Sequence, residues 1–114
     1  MTGMLIFNDI GGTVITGSNQ ADTFTQATAK ASSVNGGAGN DALIGGGHTD
    51  LFYGGIGNDY LYGGAENDVL RGGAGIDRIE GGTGSDVLKG DAGADVLMPG
   101  DDGRDLAQIG LFAE

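Results

Sequence analysis

Seven aspartates recur at intervals of nine residues: Asp41, Asp50, Asp59, Asp68, Asp77, Asp86 and Asp95. An eighth, Asp105, follows after one extra residue. Carboxylates can work as general acids and bases, or they can offer oxygen atoms to positive charge. The groups that usually accompany catalysis are missing. His48 is the sole His, so neither a three-His metal site nor a zincin helix can form. Ser85 lacks a Gly-x-Ser-x-Gly setting, Cys is absent, and no phosphate-cradling Gly motif occurs among the 26 Gly. The chain is therefore read as no enzyme, and its evenly spaced carboxylates as parts of one repeated device.

The elements that would position them also come in nines. From Gly36 the units are GGAGNDALI (36–44), GGGHTDLFY (45–53), GGIGNDYLY (54–62), GGAENDVLR (63–71), GGAGIDRIE (72–80), GGTGSDVLK (81–89) and GDAGADVLM (90–98). Asp holds position 6 throughout, and a bulky apolar residue holds position 8: Leu43, Phe52, Leu61, Leu70, Ile79, Leu88 and Leu97. Gly holds position 1 in all seven and position 2 in six, with Asp91 the exception. After Pro99 an eighth unit, GDDGRDLAQ (100–108), keeps Gly100, Gly103 and Asp105 but has only Ala107 at position 8. Upstream, 17–25 keeps Gly17, Asp22 and Phe24, while 8–16 keeps Ile15 and 27–35 keeps Val34. The expected division is degenerate capping coils over 1–35, the repeat block over 36–108, and a short cap or tail over 109–114.

A nine-residue unit is too short for a helical repeat. Positions 1–6 have turn chemistry, because Gly reaches positive φ and lets backbones approach closely. Positions 7–9 are rich in Val, Leu, Ile, Tyr and Phe, which suit a short strand. A strand alternates faces, so position 8 points inward and positions 7 and 9 outward. Two units then close a coil of turn, strand, turn, strand. The predicted fold is all-β: a parallel β-roll, or two-sheet β-solenoid, of stacked 18-residue coils about 4.8 Å apart.

Composition sets the difficulty. The chain has 114 residues, 16 acidic and 5 basic, for a formal net charge of −11. A Gly-rich acidic chain tends to disorder, yet 39% of this one is apolar. Collagen is excluded, since it needs Gly at every third residue. The negative charge argues against nucleic acid as a partner. No disulfide can form, the apolar run Met4 to Phe7 is too short to span a membrane, and the N-terminus carries no secretory signal peptide. One inward apolar side chain per unit is a thin core, and stacking would bring carboxylates of successive coils together. Something must neutralise that ladder.

The unit matches G-G-x-G-x-D-x-U-x, with U a large apolar residue, without a gap over 36–98 and loosely over 17–108. In this it resembles the RTX (repeat-in-toxin, hemolysin-type calcium-binding) nonapeptide repeat. The resemblance implies Ca²⁺ in the turns, a hard cation that takes six to eight oxygen ligands. It implies that each ion lies between the turns of units n and n+2. The first turn gives the carbonyls of positions 2 and 4 and its Asp; the second gives the carbonyls of positions 1 and 3 and its Asp. Carried over, the first site uses Gly37, Gly39 and Asp41 with Gly54, Ile56 and Asp59. The second uses Gly46, His48 and Asp50 with Gly63, Ala65 and Asp68. The third uses Gly55, Gly57 and Asp59 with Gly72, Ala74 and Asp77, and the fourth Gly64, Glu66 and Asp68 with Gly81, Thr83 and Asp86. The fifth uses Gly73, Gly75 and Asp77 with Gly90, Ala92 and Asp95. A sixth, across the register shift at Pro99, uses Gly82, Gly84 and Asp86 with Gly100, Asp102 and Asp105. A further site would use Asp22. His48 and Glu66 replace Gly at position 4, so the two even-edge sites that contain them are expected to be present but weaker. Five or six ions would bring a charge of −11 close to zero, and metal binding would then be folding free energy.

The outward positions distinguish the two sheets. On the even one, position 7 reads Leu51, Val69, Val87 and Leu106; on the odd one it reads Ala42, Tyr60, Arg78 and Val96. The aliphatic even row has two readings: its residues simply suit strands, or the face is covered by a second copy of the chain or by a terminal lid drawn from Leu5, Ile6 and Phe7 or from Leu106, Ile109, Leu111 and Phe112. The resemblance also implies export by the type I route into calcium-rich extracellular surroundings. The tail Gly110 to Glu114 is short for that family's export signal and favours a fragment. Two roles stay open: a structural module that folds on calcium, and an adhesion or polysaccharide-binding module. Arg71, Lys89 and Arg78 make a sparse basic stripe and no Thr ladder occupies positions 7 or 9, which favours the first role.

Overall fold

β-Branched and aromatic triplets set between Gly-rich hexapeptides leave room for short strands, and short strands are what form. The computed structural model describes residues 6–8, 14–17, 19–25, 33–100 and 105–108. Its strands are β1 (Ile6–Asn8), β2 (Val14–Thr16), β3 (Thr23–Thr25), β4 (Ser33–Asn35), β5 (Ala42–Ile44), β6 (Leu51–Ile56), β7 (Tyr60–Gly64), β8 (Val69–Ala74), β9 (Arg78–Gly82), β10 (Val87–Lys89), β11 (Val96–Met98) and β12 (Leu106–Gln108). Odd strands form one six-stranded sheet in the order β1-β3-β5-β7-β9-β11, and even strands form the other in the order β12-β10-β8-β6-β4-β2. Every pairing is parallel, as in β5 with β7 (Leu43↔Leu61) and β6 with β8 (Phe52↔Leu70). The chain is an all-β parallel β-roll.

Position 8 faces inward in every complete unit. The core is Phe24, Val34, Leu43, Phe52, Leu61, Leu70, Ile79 and Leu88, all buried, with Leu97 packed against it. Phe24 and Phe52 meet edge-to-face with ring centroids 5.8 Å apart, a favoured aromatic geometry. The upstream residues Ile15, Phe24 and Val34 lie on strands that continue both sheets. Their spacing is irregular: Phe24 pairs with Leu43 and Leu88 with Ala107, nineteen residues on, whereas Val34 pairs with Phe52 eighteen on. Loops absorb the extra residue, because slipping a strand by one would turn its apolar side chain outward.

Two expectations are corrected. Strands β6 to β9 exceed three residues, because parallel pairing runs on into the glycines: Gly55↔Gly73 and Ile56↔Ala74, then Gly64↔Gly82. The N-terminal Ile6 and Phe7 are no lid; they form β1, an outer strand of the odd sheet paired with β3. Leu106 belongs to the aliphatic row itself and is 51% exposed, as is Leu51. Leu5, Ile109, Leu111 and Phe112 lie outside the described residues. Among the described residues no helix is long and apolar enough to cross a membrane.

Candidate metal centres

Each turn is shaped by its second and fourth positions. Gly37 and Gly39 have φ of 93° and 98°, Gly55 and Gly57 have 99° and 126°, and Gly73 and Gly75 have 96° and 110°. These left-handed values suit Gly and fold the hexapeptide so that its carbonyls stack along the coil axis. A methyl group on Gly57 would strike the carbonyl oxygen of Gly39, and one on Gly55 that of Gly37. The third position ties the coils together: Ile56, Ala65 and Thr83 donate their N–H to the carbonyls of Gly37, Gly46 and Gly64 at 2.9 Å.

The sixth-position carboxylates form a continuous ladder. Asp59 Oδ1 accepts the backbone N–H of Asp41 at 2.8 Å, Asp77 that of Asp59, and Asp95 that of Asp77. On the other edge Asp68 accepts from Asp50 and Asp86 from Asp68, again at 2.8 Å. These bonds hold together the residue pairs expected of sites one to five, stacking each turn on its partner one coil away. One oxygen of each carboxylate is thus committed to the fold.

The second oxygen is in a different position. Oδ2 of Asp41, Asp59, Asp68, Asp77 and Asp95 is shielded from solvent and has no hydrogen-bond partner. Asp41 and Asp59 are 3% exposed, Asp68 and Asp77 only 1%. A Cβ added to Gly36 would stand 2.5 Å from Asp41 Oδ2 and 2.7 Å from the carbonyl oxygen of Gly54, and Gly54 repeats this against Asp59 and Gly72. The first-position glycine therefore leaves a small cradle walled by a carboxylate oxygen and a main-chain carbonyl of the next coil. Gly45, Gly63, Gly72, Gly81 and Gly90 sit against their own units' carboxylates likewise. Among the described residues no three side-chain ligands cluster as a metal group, because most oxygens of these cradles belong to the backbone.

A buried carboxylate without a donor resists ionisation. Burial, with added repulsion from Asp59 and Asp22, pushes Asp41 up to about 7. Burial likewise raises Asp68, beside Asp50 and Asp86, and Asp77, beside Asp59 and Asp95, to about 7. Asp59 and Asp95 shift upward mainly through burial as well. The two ion pairs seen, Arg71–Asp91 at 2.8 Å and Arg78–Glu80 at 3.2 Å, are exposed and touch none of these carboxylates.

The irregular turns differ from their expected form in separate ways. Glu66 keeps the left-handed backbone of the glycine it replaces, with φ 74°, and its carbonyl lies against Gly84 just as that of Gly39 lies against Gly57. Turn 45–50 departs: neither Gly46 nor His48 is left-handed, unlike their counterparts in the other turns of 36–98. Asp91 takes position 2 with φ 64°. At the C-terminal end the register is corrected. A Cβ on Gly81 would lie 2.8 Å from the Pro99 carbonyl, and Gly100, at φ 106°, stacks on Gly82. Pro99 therefore takes position 1 and Gly100 position 2. Asp105 recovers position 6, accepting the N–H of Asp86 at 2.7 Å. Asp102 lies outside the described residues.

Two further parts of the ladder join it, one at Asp22 and one at position 5, which the motif leaves open. Asp22 is 4% exposed and donates its N–H to Asp41 Oδ1 at 2.7 Å. A Cβ on Gly17 would stand 2.5 Å from Asp22 Oδ2 and against the Gly36 carbonyl, and Gly39 abuts the Gln20 carbonyl. Turn 17–22 thus stacks on 36–41 as its successors do. At position 5, Asn40, Asn58 and Asn67 accept the N–H of Asn58, Ile76 and Ser85 at 2.8 Å. The Asn-Asp pairs at 40–41, 58–59 and 67–68 are the signal for that column.

The family model of the RTX calcium-binding nonapeptide repeat matches the chain in four copies, over residues 27–61, 44–78, 62–97 and 71–106. Searches of curated proteins and of solved structures return no match.

Proposed function

The chain belongs to the RTX calcium-binding nonapeptide repeat family, and on that premise we propose that it is a non-catalytic module that folds by taking up about five or six Ca²⁺ ions. The observation that carries this reading is the row of buried Oδ2 atoms of Asp41, Asp59, Asp68, Asp77 and Asp95, which lack any donor, with a main-chain carbonyl walling the cradles of Asp41 and Asp59. Such oxygens need a proton or a cation. Bound Ca²⁺ supplies two positive charges and an oxygen-seeking coordination shell. The holders would be Asp41, Asp59, Asp77 and Asp95 on the odd edge and Asp50, Asp68 and Asp86 on the even edge. The carbonyls of positions 1 to 4 complete each set, with Pro99 in place of Gly100 as the first-position carbonyl of the last. The Gln20 carbonyl and Asp22 stand beside turn 36–41 in the corresponding places.

Secretion by the type I route suits such a chain, which would stay unfolded where calcium is scarce and close outside the cell. Far-UV circular dichroism during a calcium titration tests the folding step. The expected result is a gain of β-structure that a chelator reverses and that Mg²⁺ reproduces poorly, since Mg²⁺ demands a tighter octahedron. Identical spectra with and without calcium would overturn it. Calorimetry on the same samples counts the ions.

A second reading concerns the even sheet. Leu51, Val69 and Leu106 are 51%, 37% and 51% exposed in one row. This apolar row is offered as a self-association face between copies of the chain, and sedimentation in calcium tests it. A monomer at all concentrations removes it.

A further inference from the structure

Six Asn residues occur in the chain, and only Asn35 is followed by Gly. An Asn-Gly pair is chemically labile, because a residue without Cβ lets its own amide nitrogen reach the preceding side chain. The exposed Asn35 ends β4 and Gly36 opens the first complete turn. In the folded roll that nitrogen is occupied. Gly36 donates its N–H to the Tyr53 carbonyl at 2.8 Å. Gly36 is also buried, and a Cβ added there would meet Asp41 Oδ2 and the Gly54 carbonyl. The Asn35 side chain is engaged too, since its Oδ1 accepts the Gly37 N–H at 3.1 Å, and its carbonyl accepts that of Gly17 at 2.7 Å.

We propose that Asn35–Gly36 is a spontaneous deamidation site that the folded roll closes and the unfolded chain opens. The proposal rests on the calcium reading only for what drives the folding. In the open chain a hydroxide takes the Gly36 amide proton and the nitrogen attacks Asn35 Cγ. The new C–N bond forms as the Cγ–Nδ2 bond breaks, and ammonia leaves with a proton from water. Water then opens the cyclic imide at either carbonyl, leaving an aspartyl or an isoaspartyl residue. No oxidant or reductant is consumed. The isoaspartyl form inserts one extra carbon into the main chain between β4 and the first turn. That shifts Gly36 out of register with the Tyr53 carbonyl and moves its own carbonyl relative to Gly17 and Asp22. The chain would thereby keep a covalent record of time spent unfolded.

The remaining described asparagines of the block make the contrast. Asn40, Asn58 and Asn67 hold the next coil's N–H through Oδ1, and each is followed by Asp, whose side chain hinders ring closure.

The test incubates the full chain at mildly alkaline pH in three arms: calcium, chelator, and calcium with urea. Peptide mapping by mass spectrometry and an isoaspartate assay follow the modification, and circular dichroism follows the fold. Asn35 is expected to deamidate in chelator and in urea about tenfold or more faster than in calcium, since reaction needs opening of the coil. N35Q is expected to abolish the signal. A calcium-dependent spectrum with equal rates at Asn35 in all arms would overturn the proposal, as would modification spread evenly over Asn40, Asn58 and Asn67. If calcium leaves the spectrum unchanged, the calcium reading fails by itself. The urea arm then decides: a tenfold rise over buffer supports closure by the fold, and equal rates overturn it.

Discussion

The two edges of the roll carry the same carboxylate ladder on different supports. On the odd edge, Gly occupies positions 2 and 4 of turns 36–41, 54–59 and 72–77, and all six residues are left-handed. On the even edge, turn 45–50 has no left-handed residue at those positions, and turn 63–68 forces Glu66 into one. Yet the Asp-to-Asp hydrogen bonds are 2.8 Å on both edges. The carboxylate therefore sets the stacking distance between coils, while the glycines set how the surrounding carbonyls are presented. If that is right, the edges should differ in calcium response more than in architecture.

The largest expected effect tests this directly. Asp59→Asn removes a carboxylate shared by two stacked turns and replaces an acceptor-only group. The calcium concentration at the folding midpoint should rise by about tenfold or more. Asp68→Asn, which stacks on the irregular turn 45–50, should shift it less. Circular dichroism titrations of the two variants decide; equal shifts would erase the distinction between edges.

Acidification should affect both edges alike. Asp41, Asp68 and Asp77 are raised from 3.8 to about 7 in the metal-free roll. A folded value above the unfolded one means that protonation favours the fold. That stabilisation is complete below 3.8 and is lost as pH rises through about 7. In chelator, β-structure should therefore increase as pH falls through this window, and the calcium-loaded protein should show the opposite trend as protons displace the metal. A metal-free chain equally unfolded at both ends of the window would contradict the burial of these groups.

Glycine substitutions sharpen the comparison at the backbone. Gly57→Ala requires a non-Gly residue at φ 126° and drives a methyl group into the Gly39 carbonyl. It should cost about 1–3 kcal/mol or more in calcium-saturated thermal unfolding. Gly46→Ala, at a position that is not left-handed, should stay within about 0.5 kcal/mol. The smallest effect is a gain: Glu66→Gly relieves the strained φ of 74° and should stabilise by about 1 kcal/mol. No gain there would mean that the Glu66 side chain compensates its backbone.

Much of this was legible in the chain. Position 8 was identifiable as the inward position, since Leu43, Phe52, Leu61, Leu70, Ile79 and Leu88 are the one apolar column without exception, and all are buried. The pairing of turns eighteen residues apart followed from the unbroken period. The N-terminal strand was not legible, because Leu5 rather than Asp precedes Ile6–Asn8 and no Gly-Gly pair leads into it. The place of Pro99 was hidden too. The motif assigns position 1 by Gly, whereas the coil needs only a carbonyl there, which Pro supplies equally well.

The sequence alone determined the period, the alternation of turn and strand, the inward residue and the acid that repeats with it. Those properties depend on local chemistry: Gly for left-handed backbone, branched residues for strands, and one polar type held at one position. Only the tertiary structure decided how the carboxylate oxygens are used. Stacking one coil on the next commits Oδ1 to a backbone N–H and leaves Oδ2 of Asp41, Asp59, Asp68, Asp77 and Asp95 buried without a donor. That division depends on atoms a whole coil apart in the chain, so no single nonapeptide contains it.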